Sequence, residues 1–212
     1  MIRLYRRHFI NALKKLWPVS LLVLLIFALG IAGGAWNAIN LQYGQAKDLH
    51  DYLAASLPQF NHPLPDSSRA VRGAVGDNMI MVGVMYLSGL SLIGIPAVIA
   101  LVFLRGYVLG FAVGFLCRDL AGRGVLLAAA SIMPHNLLYL PALFTGAVAS
   151  LAFAAQLLQR RPGGRDPLLF SLSRYTAIMV VVLAAAAGAG LVEACCSPWL
   201  TRTVVNLIGA GT

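Results

Sequence analysis

The stretch that decides the fold is Ala74–Cys117, AVGDNMIMVGVMYLSGLSLIGIPAVIALVFLRGYVLGFAVGFLC. It holds 44 residues (74 to 117 inclusive) with only two charges, Asp77 and Arg105. As one helix it would be ~66 Å long, against about 30 Å of bilayer hydrocarbon. Two crossings fit it, and Gly94-Ile95-Pro96 marks the break, since glycine frees the backbone and proline suits the first turn of a new helix. The spacing predicts one span over Val75–Leu92 and another over Pro96–Cys117.

Further uncharged runs lie on both sides: Leu16–Ala46, Val125–Gln159 and Tyr175–Val192. Each meets or exceeds the roughly 18 residues that cross hydrocarbon. Backbone groups in lipid must be satisfied within the segment, so these runs read as helices, and no ten-residue alternating stretches suggest a barrel. Apolar residues make up 59% of the chain and charged residues 11%, where a soluble domain carries about a quarter charged. The reading is an all-α polytopic membrane protein with about five transmembrane helices and Pro/Gly breaks near Pro96 and Pro134. A basic leader over residues 1–17 places Ile2, Tyr5, Phe9, Leu13 and Leu16 on one helical face, suited to an anionic leaflet. The first span follows at 18–41. Residues 42–74 form a polar loop with a short amphipathic helix at Gln45–Leu57, ended by Pro58, Pro63 and Pro65. Four further spans fill residues 75–198, and residues 199–212 are a tail in which Trp199 suits an interface.

The net charge of +9 does not indicate a nucleic-acid binder, because the basic residues cluster beside spans. Arg3, Arg6, Arg7, Lys14 and Lys15 precede the first span; Arg160, Arg161, Arg165 and Arg174 precede the last. Such clusters face the cytoplasm. With five crossings and the N-terminus inside, the cytoplasmic side and Arg105 hold ten Lys/Arg and one acid, while the other side holds six of each. That asymmetry places the C-terminus outside.

Small residues and isolated polar groups are the candidate working parts. Gly106, Gly110 and Gly114 repeat every four residues on one helix face, as Gly30 and Gly34 do in the first span; such faces let helices approach closely. The motif fits packing within one subunit or a homodimer seam. Ser131-Ile132-Met133-Pro134-His135-Asn136 interrupts the long fourth run. The expected result is a short helix Val125–Ile132, a break, and a span Asn136–Leu158, followed by a last span at Arg174–Ala194. Ionisable groups at membrane depth are costly; Arg105, His135 with Asn136, and Glu193 qualify. Helix rise leaves Glu193 ~15 Å above Arg105, so Arg105 is expected to bond the His135–Asn136 segment and not Glu193 directly. No HExxH, paired mid-membrane aspartates, glycine-flanked serine with a histidine partner or phosphate-binding loop occurs, and the three cysteines lack zinc-ligand spacing. No catalysis, metal or cofactor is expected.

Several blocks resemble the stage II sporulation protein M family: Tyr86-Leu87-Ser88-Gly89-Leu90-Ser91-Leu92-Ile93-Gly94-Ile95-Pro96, Leu104-Arg105-Gly106-Tyr107-Val108-Leu109-Gly110-Phe111, Met133-Pro134-His135-Asn136-Leu137-Leu138, and Glu193-Ala194 with Ser197-Pro198-Trp199-Leu200. Their order and spacing extend the likeness over nearly the whole chain. One departure stands out: members of the wider superfamily often carry Pro-His-Gly followed by Glu, where this chain has His135-Asn136 and no acid nearby. The resemblance implies a multi-pass protein of the cell membrane at the sporulation septum. There it would anchor two peptidoglycan-degrading partners, stage II sporulation proteins D and P, during engulfment, with no nucleic acid involved. The rival reading, motivated by the expected broken helices, is a permease-like subunit that moves a small molecule or couples to an ATPase.

The topology is open to direct measurement. In a cysteine-free background, an impermeant thiol reagent added from outside should label a cysteine at Gln59 and spare one at Gly164; reversed labelling refutes the orientation.

Overall fold

A computed structural model describes residues 2–56, 67–91, 94–158 and 168–209, with side chains of residues 2–16 and of several loop-adjacent and C-terminal positions outside that set. The described residues form five helices: α1 Ile2–Ile39, α2 Tyr43–Ser56, α3 Ser67–Gly89, α4 Gly94–Leu158 and α5 Leu168–Gly209. The predicted break before Pro96 is present as a turn at Leu90–Ser91 between α3 and α4, with Pro96 in the first turn of α4. The leader and the first span are one uninterrupted helix. The amphipathic face expected on residues 1–17 lies outside the described side chains, as do Pro58, Pro63 and Pro65.

Helix α4 runs for 65 residues but is not straight. Arg105 and His135 would stand ~45 Å apart on a straight helix, yet they share a 3.0 Å hydrogen bond. The helix therefore doubles back about halfway between them. Its limbs are Gly94–Asp119 and Gly124–Leu158. Gly124 sits where its missing Cβ would strike the Leu116 carbonyl, so any larger residue would open the reversal.

The first limb lies against α1 with the backbones almost touching. A Cβ at Gly106 would meet the Phe27 carbonyl at 2.5 Å, and one at Gly114 would meet the Ala35 Cα at 3.0 Å. A Cβ at Gly110 would collide with the Ile31 carbonyl, and one at Gly34 with the Tyr107 carbonyl. Because Gly30, Gly34, Gly106, Gly110 and Gly114 are all occupied in this contact, packing within one subunit accounts for the motif and no homodimer seam is needed there. Higher residue numbers on α1 face higher numbers on α4, so the two run parallel.

Parallel running settles the role of α3. Four segments are long and apolar enough to cross a membrane by length and composition: Trp17–Ile39, Gly94–Asp119, Gly124–Leu158 and Leu169–Cys195. Helix α3 is not among them, so composition gives four spans where five were expected. Yet α1 and the first limb can point the same way only if the chain between them returns through the layer. Among the described helices there, only the 23-residue α3 has the length. It packs antiparallel to α5, with Val75 against Gly190, Asn78 bonded to the Ala186 carbonyl at 3.3 Å and Tyr86 bonded to Thr176 at 3.1 Å.

Two further expectations are corrected. The second limb continues through Pro134 without the predicted break. Proline deletes one intrahelical bond, and on either side Ser131 donates to the Leu127 carbonyl at 2.8 Å and Asn136 to the Ile132 carbonyl at 2.8 Å. The stretch stays helical because His135, Asn136 and Tyr139 are packed inside the bundle, where tertiary contacts override a helix breaker. Helix α5 extends to Gly209 and takes in much of the expected tail. The core joins all the long helices through Val23, Phe27, Val82, Met85, Val102 and Leu143, among others. Outward on α1 stand Leu21, Leu25 and Leu29, flanked by exposed Trp17 and Trp36. Those tryptophans are 19 residues apart, ~28 Å along the helix, close to the hydrocarbon thickness.

Gly110→Leu should cost at least 3 kcal/mol, roughly the upper end for overpacked cores, because it must separate two backbones. Gly188, whose Cβ position is open, supplies the control: Gly188→Ala should leave detergent stability unchanged. Equal unfolding midpoints for both variants would refute the contact.

Candidate functional site

The polar residues singled out from the sequence converge in the middle of the bundle. Arg105 Nη2 lies 3.0 Å from His135 Nε2. On the other side of the ring, His135 Nδ1 lies 3.2 Å from Glu193 Oε2 and 3.2 Å from the Ala189 carbonyl. A guanidinium only donates, so Nε2 must accept and Nδ1 carries the proton. Nδ1–H is then shared between Glu193 and the Ala189 carbonyl, which are one helical turn apart on the same face of α5. His135 thus bridges a cation and a carboxylate. Arg105 and Glu193 do not bond directly, but Glu193 is not isolated above Arg105 as helix rise suggested, because an imidazole and two long side chains close the gap.

Tyr139 completes the cluster. One turn beyond His135, it stacks on the imidazole at 5.1 Å between centroids, and Arg105 Cζ sits 4.5 Å above its ring. A cation over an aromatic face in a desolvated setting contributes about 2 kcal/mol. His135 and Tyr139 are buried, while the Glu193 side chain is 45% exposed. Asn136 is also buried and its amide nitrogen serves the helix itself; its Oδ1 and the Tyr139 hydroxyl have no hydrogen-bond partner among the described residues.

This geometry limits the chemistry. Arg105 engages the Nε2 lone pair of His135, while Nδ1–H faces the Glu193 carboxylate and the Ala189 carbonyl. The cluster neutralises Arg105 internally and ties the two limbs of α4 to α5. Among the described residues, no group of three or more His, Cys, Asp or Glu side chains could hold a metal ion.

Sequence reasoning missed a second polar knot near the other end of the bundle. The buried Tyr175 hydroxyl meets Ser150 Oγ at 2.9 Å and donates to the Tyr86 carbonyl at 3.0 Å, while Ser150 donates to the Met85 carbonyl at 3.1 Å. The Tyr86 carbonyl belongs to the last turn of α3, where helices leave carbonyls without internal donors. Tyr175 also stacks between Phe153 at 4.6 Å and Tyr86 at 5.3 Å. The available signal was a tyrosine and a serine inside apolar runs, whose hydroxyls need partners once buried. At the opposite end, Arg118 caps α1 by donating to the Ala38 carbonyl at 3.0 Å, and His50 of α2 meets both carboxylate oxygens of Asp119 at 2.8 and 2.9 Å.

A family model described as Stage II sporulation protein M matches residues 23–198, more than four-fifths of the chain and most of α1 to α5. No curated protein and no solved structure matches.

Removing the bridge should cost more than removing what it bridges. His135→Leu leaves the half-buried Arg105 guanidinium without its partner and should destabilise the bundle by about 1.5–3 kcal/mol, the usual worth of a hydrogen bond to a charged group. The double variant His135→Leu/Arg105→Leu should lose less. Unfolding titrations in mixed detergent measure both, and additive losses would refute the coupling.

Proposed function

The chain belongs to the stage II sporulation protein M family, a sporulation-related multi-pass membrane protein, and on that footing we propose that it serves as a septal-membrane anchor for peptidoglycan-degrading partners during engulfment. The observation that carries this reading is the family match itself, which takes in the glycine contact, the Arg105–His135–Glu193 cluster and most of the membrane helices. In the proposed orientation the N-terminus is cytoplasmic, and α2 stands on the side of the membrane where the cell wall lies.

Two physical features support an anchoring role. Helices in backbone contact, with Arg105 bonded inside the bundle to His135, make a stiff base and give little room for the alternating rearrangement that moves a solute. Helix α2 is held to the end of the first limb of α4 by His50 and Asp119 and turns exposed Tyr43 and Tyr52 outward. Aromatic side chains of this kind are frequent anchors at protein interfaces. The partners proposed are stage II sporulation proteins D and P. They would cut the wall while this chain supplies position.

Tagged chain purified from sporulating cells after crosslinking should carry both wall-degrading proteins with it. The double variant Tyr43→Ala/Tyr52→Ala should reduce their recovery severalfold at unchanged membrane levels. Recovery of an ATPase without wall hydrolases, or an even distribution around the cell membrane away from the septum, would overturn the anchor.

A further inference from the structure

Helix α3 presents a difficulty that the single chain leaves unsolved. Its inner face, Val75, Asn78, Val82, Met85 and Gly89, packs into the bundle. Its opposite face carries Arg72, Gly73, Asp77, Ile80, Val84 and Leu87, all exposed. Asp77 lies 12 residues from the Gly89 end, ~18 Å along the helix. Val75, two residues away, abuts Gly190, next to the Ala189 carbonyl that accepts from His135. Asp77 is therefore close to the level of the buried polar cluster, well inside the layer, and faces outward. Neither Asp77 nor Arg72 has a polar partner among the described residues. A carboxylate turned to lipid at that depth is strongly unfavourable, so this face calls for a cover.

The pattern on the face specifies that cover. Gly73, Gly76, Ile80, Gly83, Leu87 and Leu90 follow one another at steps of three, four, three, four and three residues. That is the a/d seam of two helices supercoiled side by side. A Cβ added at Gly73, Gly76 or Gly83 meets nothing within 4 Å, so their close-approach surface is unused within the chain, unlike that of Gly106, Gly110 and Gly114. In this register Arg72 takes a g position and Asp77 the following e position. In a parallel two-stranded coil, a g residue lies beside the e residue five positions further along the other strand. Arg72 and Asp77 are five apart and opposite in charge. A second copy in the same membrane necessarily has the same orientation, so a two-fold axis along the membrane normal makes both Arg72–Asp77 pairs at once.

We propose that α3 is the seam of a parallel two-fold homodimer, in which glycines at Gly73, Gly76 and Gly83 bring the two helices together and Arg72 of each copy pairs with Asp77 of the other. The pairing neutralises the outward carboxylate and covers the least apolar of the long helices. It stands independently of any wall-degrading partner.

The test uses the full chain in native membranes, with Cys117, Cys195 and Cys196 replaced by serine. Ile80→Cys should form an intermolecular disulfide with itself under mild oxidation, and Leu25→Cys, on the exposed face of α1, should not. Arg72→Asp and Asp77→Arg should each abolish the Ile80 dimer band, and the two together should restore it. Asp77→Asn, which leaves α3 easier to insert, should reduce the band severalfold and guards against misfolding of the charge reversals. Absence of an Ile80 disulfide, equal crosslinking at Leu25, failure of the double reversal to rescue together with an unaffected Asp77→Asn, or crosslinking of Ile80 to a different protein would each overturn the proposal.

Discussion

Backbone contact between α1 and the first limb of α4 is the constraint from which the rest of the architecture follows. Lipid supplies no hydrophobic drive between helices, so association depends on close packing and internal polar bonds. Glycine at five positions lets two helix axes come nearer than side chains would allow, and it fixes them parallel. Once they are parallel, the chain between them has to cross back, and the task falls to α3 in spite of its polarity. Once Gly94–Asp119 is fixed, the reversal at Gly124 lays the second limb alongside it, and α5 closes the remaining side.

Polar groups inside this framework sit at its joints. Arg105, His135 and Glu193 hold three membrane segments at one level; Tyr175, Ser150 and the end of α3 hold three at another. In each case a long or aromatic side chain on one helix reaches backbone or side-chain acceptors on the others. In low dielectric such bonds are costly to leave unmade, which makes each knot specific for one arrangement. The tautomer of His135 follows from the same logic, since its neighbours on either side dictate which nitrogen donates and which accepts.

Much of this was legible in the sequence. Hydrophobic run lengths set the spans, Gly94-Ile95-Pro96 set a turn, the four-residue glycine spacing named the packing face, and the few intramembrane polar residues named the cluster. What escaped was information that only the third dimension holds. Pro134 read as a break because a propensity argument does not see the tertiary contacts that bury His135, Asn136 and Tyr139 beside it. The link from Arg105 to Glu193 was not legible because helix rise gives axial distance and does not show that one imidazole can meet both side chains. Tyr175 and Ser150 gave no periodic signal, being single polar atoms in apolar runs. The glycine motif alone could not say whether its mate was in the same chain, and the α1 partner answered that.

The parallel contact also has a bearing on how the protein is made. About 76 residues separate the matching positions on α1 and α4, such as Gly34 and Gly110. At about 5–20 residues per second of synthesis, the first helix waits roughly 4–15 s before its counterpart leaves the ribosome. During that interval its glycine face has nothing of its own chain to rest against. The helix meets lipid on that face first, and the backbone contact is a late event that forms only after α3 has crossed.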